Sequence, residues 1–156
     1  MIDIAIPGFG ELHLAHLVMD YNGTLAVDGR LMPGVAQRFK VLSKELALHV
    51  ITADTFGRVK AELDGLDLTL RILPQQHQDQ AKLEYVQQLG ANTTVAVGNG
   101  RNDRLMLQEA ALGIAVILSE GAAGKTLAAA DVICTSIEDA LDLLCQPLRL
   151  TATIRC

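Results

Sequence analysis

The stretch Leu12-His13-Leu14-Ala15-His16-Leu17-Val18-Met19 runs directly into Asp20-Tyr21-Asn22-Gly23-Thr24-Leu25. A mostly apolar run that stops at a carboxylate and a Gly-containing turn reads as a buried strand with polar residues at its carboxyl end. Before it, Ile2 to Ile6 reads as another strand, and Pro7-Gly8-Phe9-Gly10 as the turn between them, so an N-terminal β-hairpin is expected. After it the pattern changes period. Val35, Phe39, Leu42 and Leu46 recur at three- and four-residue steps, which predicts a helix over residues 33–47 with Pro33 in its first turn.

The alternation then continues to the end of the chain. Strands are expected at His49 to Thr52, Leu68 to Leu73, Thr94 to Val97, Gly113 to Leu118 and Val132 to Cys134. Helices are expected between them at Thr55 to Leu63, Asp79 to Leu89, Asn102 to Ala110 and Ala122 to Ala130, with a last one at Ile137 to Leu144. Gly90 suits a helix stop, and the tail from Pro147 is left unassigned. Regular β–α alternation predicts a three-layer α/β/α fold with a mostly parallel sheet covered on both faces. No linker or repeat interrupts it, so residues 1–156 are expected to form a single domain.

Composition narrows the function classes. Lys and Arg number 13 against 18 Asp and Glu, a net charge of −5, and aromatics are 3% of residues with no Trp. That balance argues against a phosphate-backbone or base-stacking surface, so no nucleic-acid partner is expected. Apolar runs fall short of the ~20 residues that span a bilayer, and no signal-type segment opens the chain. The expectation is a soluble cytoplasmic protein with no membrane partner. Cys134, Cys145 and Cys156 form no C-x-x-C pair, and the four His are unclustered, so neither a disulfide framework nor a zinc site is indicated. Cys134 and Cys145 are expected to be buried thiols.

In such a sheet, ligands collect at the carboxyl ends of strands, where strand order reverses. Asp20, Asn22 and Thr24 follow the second strand, Thr52-Ala53-Asp54 the third, and Gly98-Asn99-Gly100-Arg101-Asn102-Asp103 the strand at 94–97. Lys82 lies on the helix between the last two. A carboxylate can attack phosphorus, a second can share a Mg²⁺, and hydroxyl and ammonium groups can hold phosphoryl oxygens. The set suits phosphoryl transfer.

Here the sequence resembles the haloacid dehalogenase (HAD) superfamily. Asp20-Tyr21-Asn22-Gly23-Thr24-Leu25 is similar to the first family motif, D-x-[DT]-G-T-[LV]. Ile51-Thr52-Ala53-Asp54 resembles the second, in particular the T-G-D segment of P-type ATPases. Pro74 followed by Lys82 resembles the third, and Gly98-Asn99-Gly100-Arg101-Asn102-Asp103 the fourth, G-D-G-x-N-D. The runs Gly113-Ile114-Ala115-Val116 and Ala129-Ala130-Asp131-Val132-Ile133 also resemble P-type ATPase phosphorylation domains. The resemblance implies a HAD-like, Rossmannoid fold and a Mg²⁺-dependent phosphohydrolase whose nucleophile, Asp20, becomes an aspartyl phosphate. It implies catalytic roles for Asp20, Asn22, Thr52 and Lys82, and substrate contacts from Gly23, Thr24, Ala53 and Asn102. Asp20, the Asn22 carbonyl, Asn99 and Asp103 would hold the metal.

Two residues depart from the family pattern. Asn22 stands where family phosphatases usually carry a general acid/base Asp, and an amide cannot move that proton, an assistance worth ~10²–10⁴-fold. Asn99 stands where the fourth motif offers a carboxylate, which removes one negative charge from the metal cage. Slow hydrolysis is therefore expected; the alternative is a regulatory or interaction module that binds phosphate or metal without efficient turnover. The segment between the first two motifs is too short for a cap or a nucleotide-binding domain. A capless site implies cover from a second subunit or a large substrate, so a homo-oligomer is expected, with the N-terminal hairpin as the contact. The substrate would be a phosphorylated small molecule or a phosphoprotein. Two decoys are set aside: Gly124-Lys125-Thr126 lacks the first Gly of a Walker A loop, and Gly98-x-Gly100 lacks the third Gly of a dinucleotide fingerprint.

Overall fold

The computed structural model describes residues 1–53 and 58–156. Its centre is a six-stranded parallel sheet made of β3 (His16–Asp20), β6 (Ala47–Thr52), β7 (Thr69–Ile72), β8 (Thr94–Gly98), β9 (Leu112–Val116) and β10 (Val132–Cys134). The strand order is β10-β9-β8-β3-β6-β7. The chain lays β6 and β7 on one side of β3, then returns to lay β8, β9 and β10 on the other. The reversal falls between β3 and β8, which pair in parallel from His16↔Thr94 to Met19↔Val97. Asp20 and the segment from Asn99 to Asp103 therefore emerge side by side at the crevice where such sheets bind ligands.

The strands are apolar on both faces because both faces are covered. Leu17 and Met19 face α1 (Val35–Leu42), α6 (Ile137–Cys145) and α7 (Pro147–Ile154), in a core that includes Phe39, Leu141 and Leu150. Val18, Ile51, Ala96 and Ala115 face the other way, against Val86 of α3 (Gln78–Leu89) and Met106 and Leu107 of α4 (Arg104–Glu109). The expected three layers are present. Arg38 ties α1 to α6 with a two-point contact to Asp142, Nε to Oδ1 at 2.7 Å and Nη2 to Oδ2 at 2.9 Å.

Several element boundaries differ from expectation. The run from Leu12 to Met19 is two strands. β2 (Gly10–Leu14) pairs with β1 (Ile2–Ile6) in an antiparallel hairpin, and the backbone at Ala15 already bonds to Thr93 and Ala47 beside the central sheet. The partner changes at Ala15 while the apolar run continues, which is why hydropathy alone misses the break. Helix α1 starts after Pro33, at Val35, and ends at Leu42, so that β6 begins at Ala47. A short hairpin of β4 (Ala26–Val27) and β5 (Arg30–Leu31) follows the Asp20 loop. Of the expected helix at Thr55 to Leu63, α2 spans Val59–Glu62; Asp54 and residues 55–57 lie outside the described residues. The expected helix at Ala122 to Ala130 shortens to α5 (Gly124–Leu127). Cys134 and Cys145 are half-buried, and Cys156 is exposed. Among the described residues no helix is long and apolar enough to cross a membrane.

The unassigned tail is α7, with Pro147 in its first turn and Leu150 fully buried. It packs on β1, and the Cys156 N–H donates to the Pro7 carbonyl at 3.0 Å. Ile4, Ile6, Leu12 and Leu14 of the hairpin are buried in the main core. The hairpin's apolar face is thus occupied within the chain, leaving polar Asp3, Glu11 and His13 outward, with His13 Nδ1 at 2.7 Å from Asp3 Oδ1.

Far from the switch point, His49 on β6 is buried between His16 on β3 and Tyr85 on α3. Its ring nitrogens lie 3.2 Å from His16 Nδ1 and 2.9 Å from the Tyr85 hydroxyl. Burial, with His16 adding, holds the His49 pKa below its usual 6.5. In the unfolded chain His49 takes up a proton as pH falls through 6.5; in the folded chain it resists, so stability declines as pH drops below that value. The check is chemical denaturation between pH 7.5 and 5.5. His49→Gln should flatten the decline over that window, and an unchanged slope would mean that other groups cause it.

Candidate active site

The strand-to-loop junctions at the switch point bring three charged side chains into one buried cluster. Asp20 ends β3 and is 7% exposed, whereas Asp103 and Lys82 are fully buried. Lys82 Nζ donates to Asp20 Oδ1 and to Asp103 Oδ1, each at 2.6 Å. A lysine reaches this interior because α3 turns Lys82 and Val86, one turn apart, towards the sheet. Leu83 and Leu89 on the same helix are half-buried.

Asp103 is held at both oxygens. Its Oδ2 accepts the Asn99 N–H at 2.9 Å and the Gly100 N–H at 2.8 Å, while Oδ1 faces Lys82. It therefore closes the fourth-motif loop, whose turn Arg101–Asp103 is a 3₁₀ helix leading into α4. Ligation of a metal by Asp103 would require one of these contacts to be exchanged. Asn99 is also engaged: its Oδ1 accepts the Thr24 hydroxyl at 3.1 Å and its Nδ2 donates to the Gly121 carbonyl at 3.0 Å. The Thr24 hydroxyl lies 3.4 Å from Asp20 Oδ2, so Thr24 braces the first loop against the fourth. Gly23 permits this approach. Its φ is +76°, and a Cβ there would collide with the Asn99 amide.

Two carboxylates share one ammonium. Burial, reinforced by Asp103, pushes the Asp20 pKa up from 3.8 to about 7 against the opposing pull of Lys82. Burial also disfavours the Lys82 charge, but Asp103 and Asp20 outweigh it and hold the ammonium above the usual lysine range. Lys82 is cationic, and the pocket retains affinity for a further positive charge.

The remaining expected residues fall around this cluster. Thr52 is buried at the end of β6, one residue beyond Ile51, the sheet partner of Asp20; Ala53 follows half-buried. Asn22 Oδ1 is buried without a hydrogen-bond partner. Asn102 Nδ2 donates to Gln78 Oε1 at 2.7 Å, joining the fourth-motif turn to the start of α3. Sequence reasoning missed both Gln78 and the bracing contact of Thr126. The Thr126 hydroxyl, inside the discarded Gly-Lys-Thr segment, is buried and donates to the Gly100 carbonyl at 2.7 Å, bracing the fourth loop from α5. Lys125 is exposed. Among the described residues no three His, Cys, Asp or Glu side chains form a ready metal cluster.

No family model matches the chain. Two proteins of Methanocaldococcus jannaschii are similar in sequence. The chain is 46% identical to uncharacterized protein MJ0073 over 79 residues, covering 48% of this chain and 85% of that one. It is 36% identical to uncharacterized protein MJ0072 over 39 residues, covering 25% and 89%. Among solved structures, the cobalt-bound deoxy-D-mannose-octulosonate 8-phosphate phosphatase of Haemophilus influenzae superposes with a TM-score of 0.72 at 16% identity, over 90% of this chain and 92% of that one. The 3-deoxy-D-manno-octulosonate 8-phosphate phosphatase of Moraxella catarrhalis, in complex with magnesium, phosphate and the sugar, gives 0.68 at 20% identity over 85% and 86%. A HAD-superfamily phosphatase of Bacteroides thetaiotaomicron gives 0.59 at 12% identity over 91% and 97%. The coverage is near end to end, with no inserted cap on either side. The chain belongs to the family of MJ0073 and carries the capless fold of the HAD superfamily.

Proposed function

We propose that the protein is a Mg²⁺-dependent phosphohydrolase that works through an aspartyl phosphate on Asp20. The observation that carries this reading is Lys82 Nζ, buried at the switch point, at 2.6 Å from both Asp20 and Asp103. A structural ion pair has little reason to sit in the crevice of an α/β sheet with a surplus carboxylate. A nucleophile held for an anionic electrophile does.

The chain's own residues divide the work. Asp20 Oδ1 is held by Lys82, while Oδ2 lies 3.4 Å from the Thr24 hydroxyl. In the first step an Asp20 oxygen attacks phosphorus, and the bond to the ester oxygen breaks with its electron pair leaving on that oxygen. Lys82 and the Thr52 hydroxyl hold the phosphoryl oxygens, with Gly23, Thr24, Ala53 and Asn102 shaping their surroundings. In the second step water attacks the acyl phosphate, releasing phosphate and restoring the Asp20 carboxylate. Asn22 can hydrogen-bond in both steps but moves no proton, so poor leaving groups and the attacking water go unassisted.

The site fits a hard divalent cation. Its buried trio sets two carboxyl groups against one ammonium, Asn22 Oδ1 is an orphaned oxygen, and the nearby donors are oxygens. Asp20, the Asn22 carbonyl, Asn99 and Asp103 would hold Mg²⁺, with Asp103 also fixing Lys82 and the loop. When bound, Mg²⁺ offsets the repulsion between the carboxylate and the phosphoryl group.

The substrate is a phosphorylated small molecule or a phosphoprotein met in the cytoplasm by a single-domain enzyme. A second copy of the chain, as a homo-oligomer, would cover the capless site. A second reading, a regulatory module that binds phosphate or metal without efficient turnover, draws on Asn99, whose amide is tied at both ends to Thr24 and Gly121. Phosphate release from 4-nitrophenyl phosphate with Mg²⁺ separates the two, because that leaving group needs no protonation. Asp20→Asn should reduce release to the uncatalysed background. Equal rates in wild type and variant would sink the enzymatic reading.

A further inference from the structure

Beside the catalytic cluster, between the start of α3, the fourth-motif turn and α5, lies a cavity of about 460 Å³. That volume is within the range of small-molecule sites. Its walls carry Arg101, Arg104 and Lys125 against the single carboxylate of Asp79. This is an unusual balance in a chain of net charge −5. None of the three cations makes a salt bridge among the described residues, so their charge is directed at the cavity and the solvent.

The cavity shares a wall with the site. Asn102 and Gln78, joined at 2.7 Å, both line it. Asn102 directly precedes Asp103, and Gln78 lies one turn before Lys82, about 6 Å along the helix axis. A ligand seated at the Asp20 end of the crevice would extend past the Asn102–Gln78 pair to place its other end in the cavity.

We propose that this cavity is the leaving-group subsite and that it selects phosphomonoesters bearing a second anionic group, a carboxylate or another phosphate, read by Arg101, Arg104 and Lys125. The inference rests on the phosphohydrolase reading and narrows its substrate class. Arginine suits the task, since its planar fork presents paired donors to either anion. An ester with no second anionic group leaves all three cations unpaired, and neutral sugars and lipids gain nothing from them. The absence of an acid at position 22 fits the same picture, because discrimination then rests on binding the leaving group instead of protonating it.

The test compares phenyl phosphate, 4-carboxyphenyl phosphate and 1,4-phenylene bisphosphate, in wild type, Arg101→Gln/Arg104→Gln and Lys125→Gln. The second anion should raise kcat/KM by roughly tenfold or more over phenyl phosphate, mainly through KM, as expected for one or two charge-assisted hydrogen bonds. The double variant should bring that ratio close to one, and Lys125→Gln should lower it partially. The two doubly anionic esters distinguish a carboxylate site from a phosphate site by which ratio is larger. A wild-type ratio near one, with phenyl phosphate hydrolysed, overturns the subsite and leaves the phosphohydrolase reading standing. If no ester is hydrolysed, thermal shift decides. Stronger protection by the doubly anionic esters than by phenyl phosphate, lost in the double variant, keeps the subsite while the phosphohydrolase reading fails. Equal protection overturns the subsite as well.

Discussion

Asn22→Asp is expected to raise turnover of an alkyl phosphate by roughly 10²–10⁴-fold, the usual worth of a positioned general acid and base. The substitution is nearly isosteric. It places a carboxyl where Asn22 Oδ1 is now buried without a partner. Burial beside Asp20 and Asp103 would raise the new group's pKa, so that it can carry a proton at neutral pH. The gain should be large for an alkyl ester and small for 4-nitrophenyl phosphate, whose leaving group departs as an anion. Steady-state kinetics on the two esters measures it. An equal gain on both, or none on either while phosphate with Mg²⁺ still raises the melting temperature, would mean that position 22 does not face the leaving group.

Lys82→Met should cost both the fold and the chemistry. It leaves Asp20 and Asp103 facing each other in a buried site without their shared cation. Removing one partner of a buried ionic group typically costs about 3–5 kcal/mol, which in a domain of this size lowers the melting temperature by roughly 6–20 °C. Added Mg²⁺ should recover part of that loss, because a divalent cation relieves the same repulsion. Phosphate release should fall to background even where the variant is folded, since no other buried cation lies beside Asp20 among the described residues. Calorimetry with and without Mg²⁺, beside activity below the melting temperature, tests both parts. A variant with wild-type stability would show that the carboxylates do not repel, and therefore that Lys82 is not their counter-ion.

Much of this site can be read from the chain because each loop follows an apolar strand that stops abruptly. Met19-Asp20 and Val97-Gly98-Asn99 show that change of polarity directly, and β–α alternation places both at one edge of the sheet. What cannot be read in that way depends on contacts remote in sequence. Hydropathy treats Lys82 as a solvent-facing residue, and only the carboxylates 62 and 21 positions away explain its burial. Asn102 turns towards Gln78, and Thr126 towards Gly100, through pairings that no local pattern marks. The strands β4 and β5 are two residues each, too short for periodicity to register. Part of helix α7's apolar face is matched by a hairpin at the opposite end of the chain.

The central claim is that Asp20 takes the phosphoryl group, and the most direct measurement is to find it there. With Asn22 unable to activate water, the acyl phosphate should persist long enough to trap. The protein is incubated with 4-nitrophenyl phosphate and Mg²⁺, quenched in acid, reduced with borohydride and digested for mass spectrometry. The account predicts homoserine in place of aspartate at position 20, dependent on Mg²⁺ and on the aryl phosphate. Phosphate released at the wild-type rate with Asp20 unmodified, or a phosphoryl group found on another residue, would contradict it.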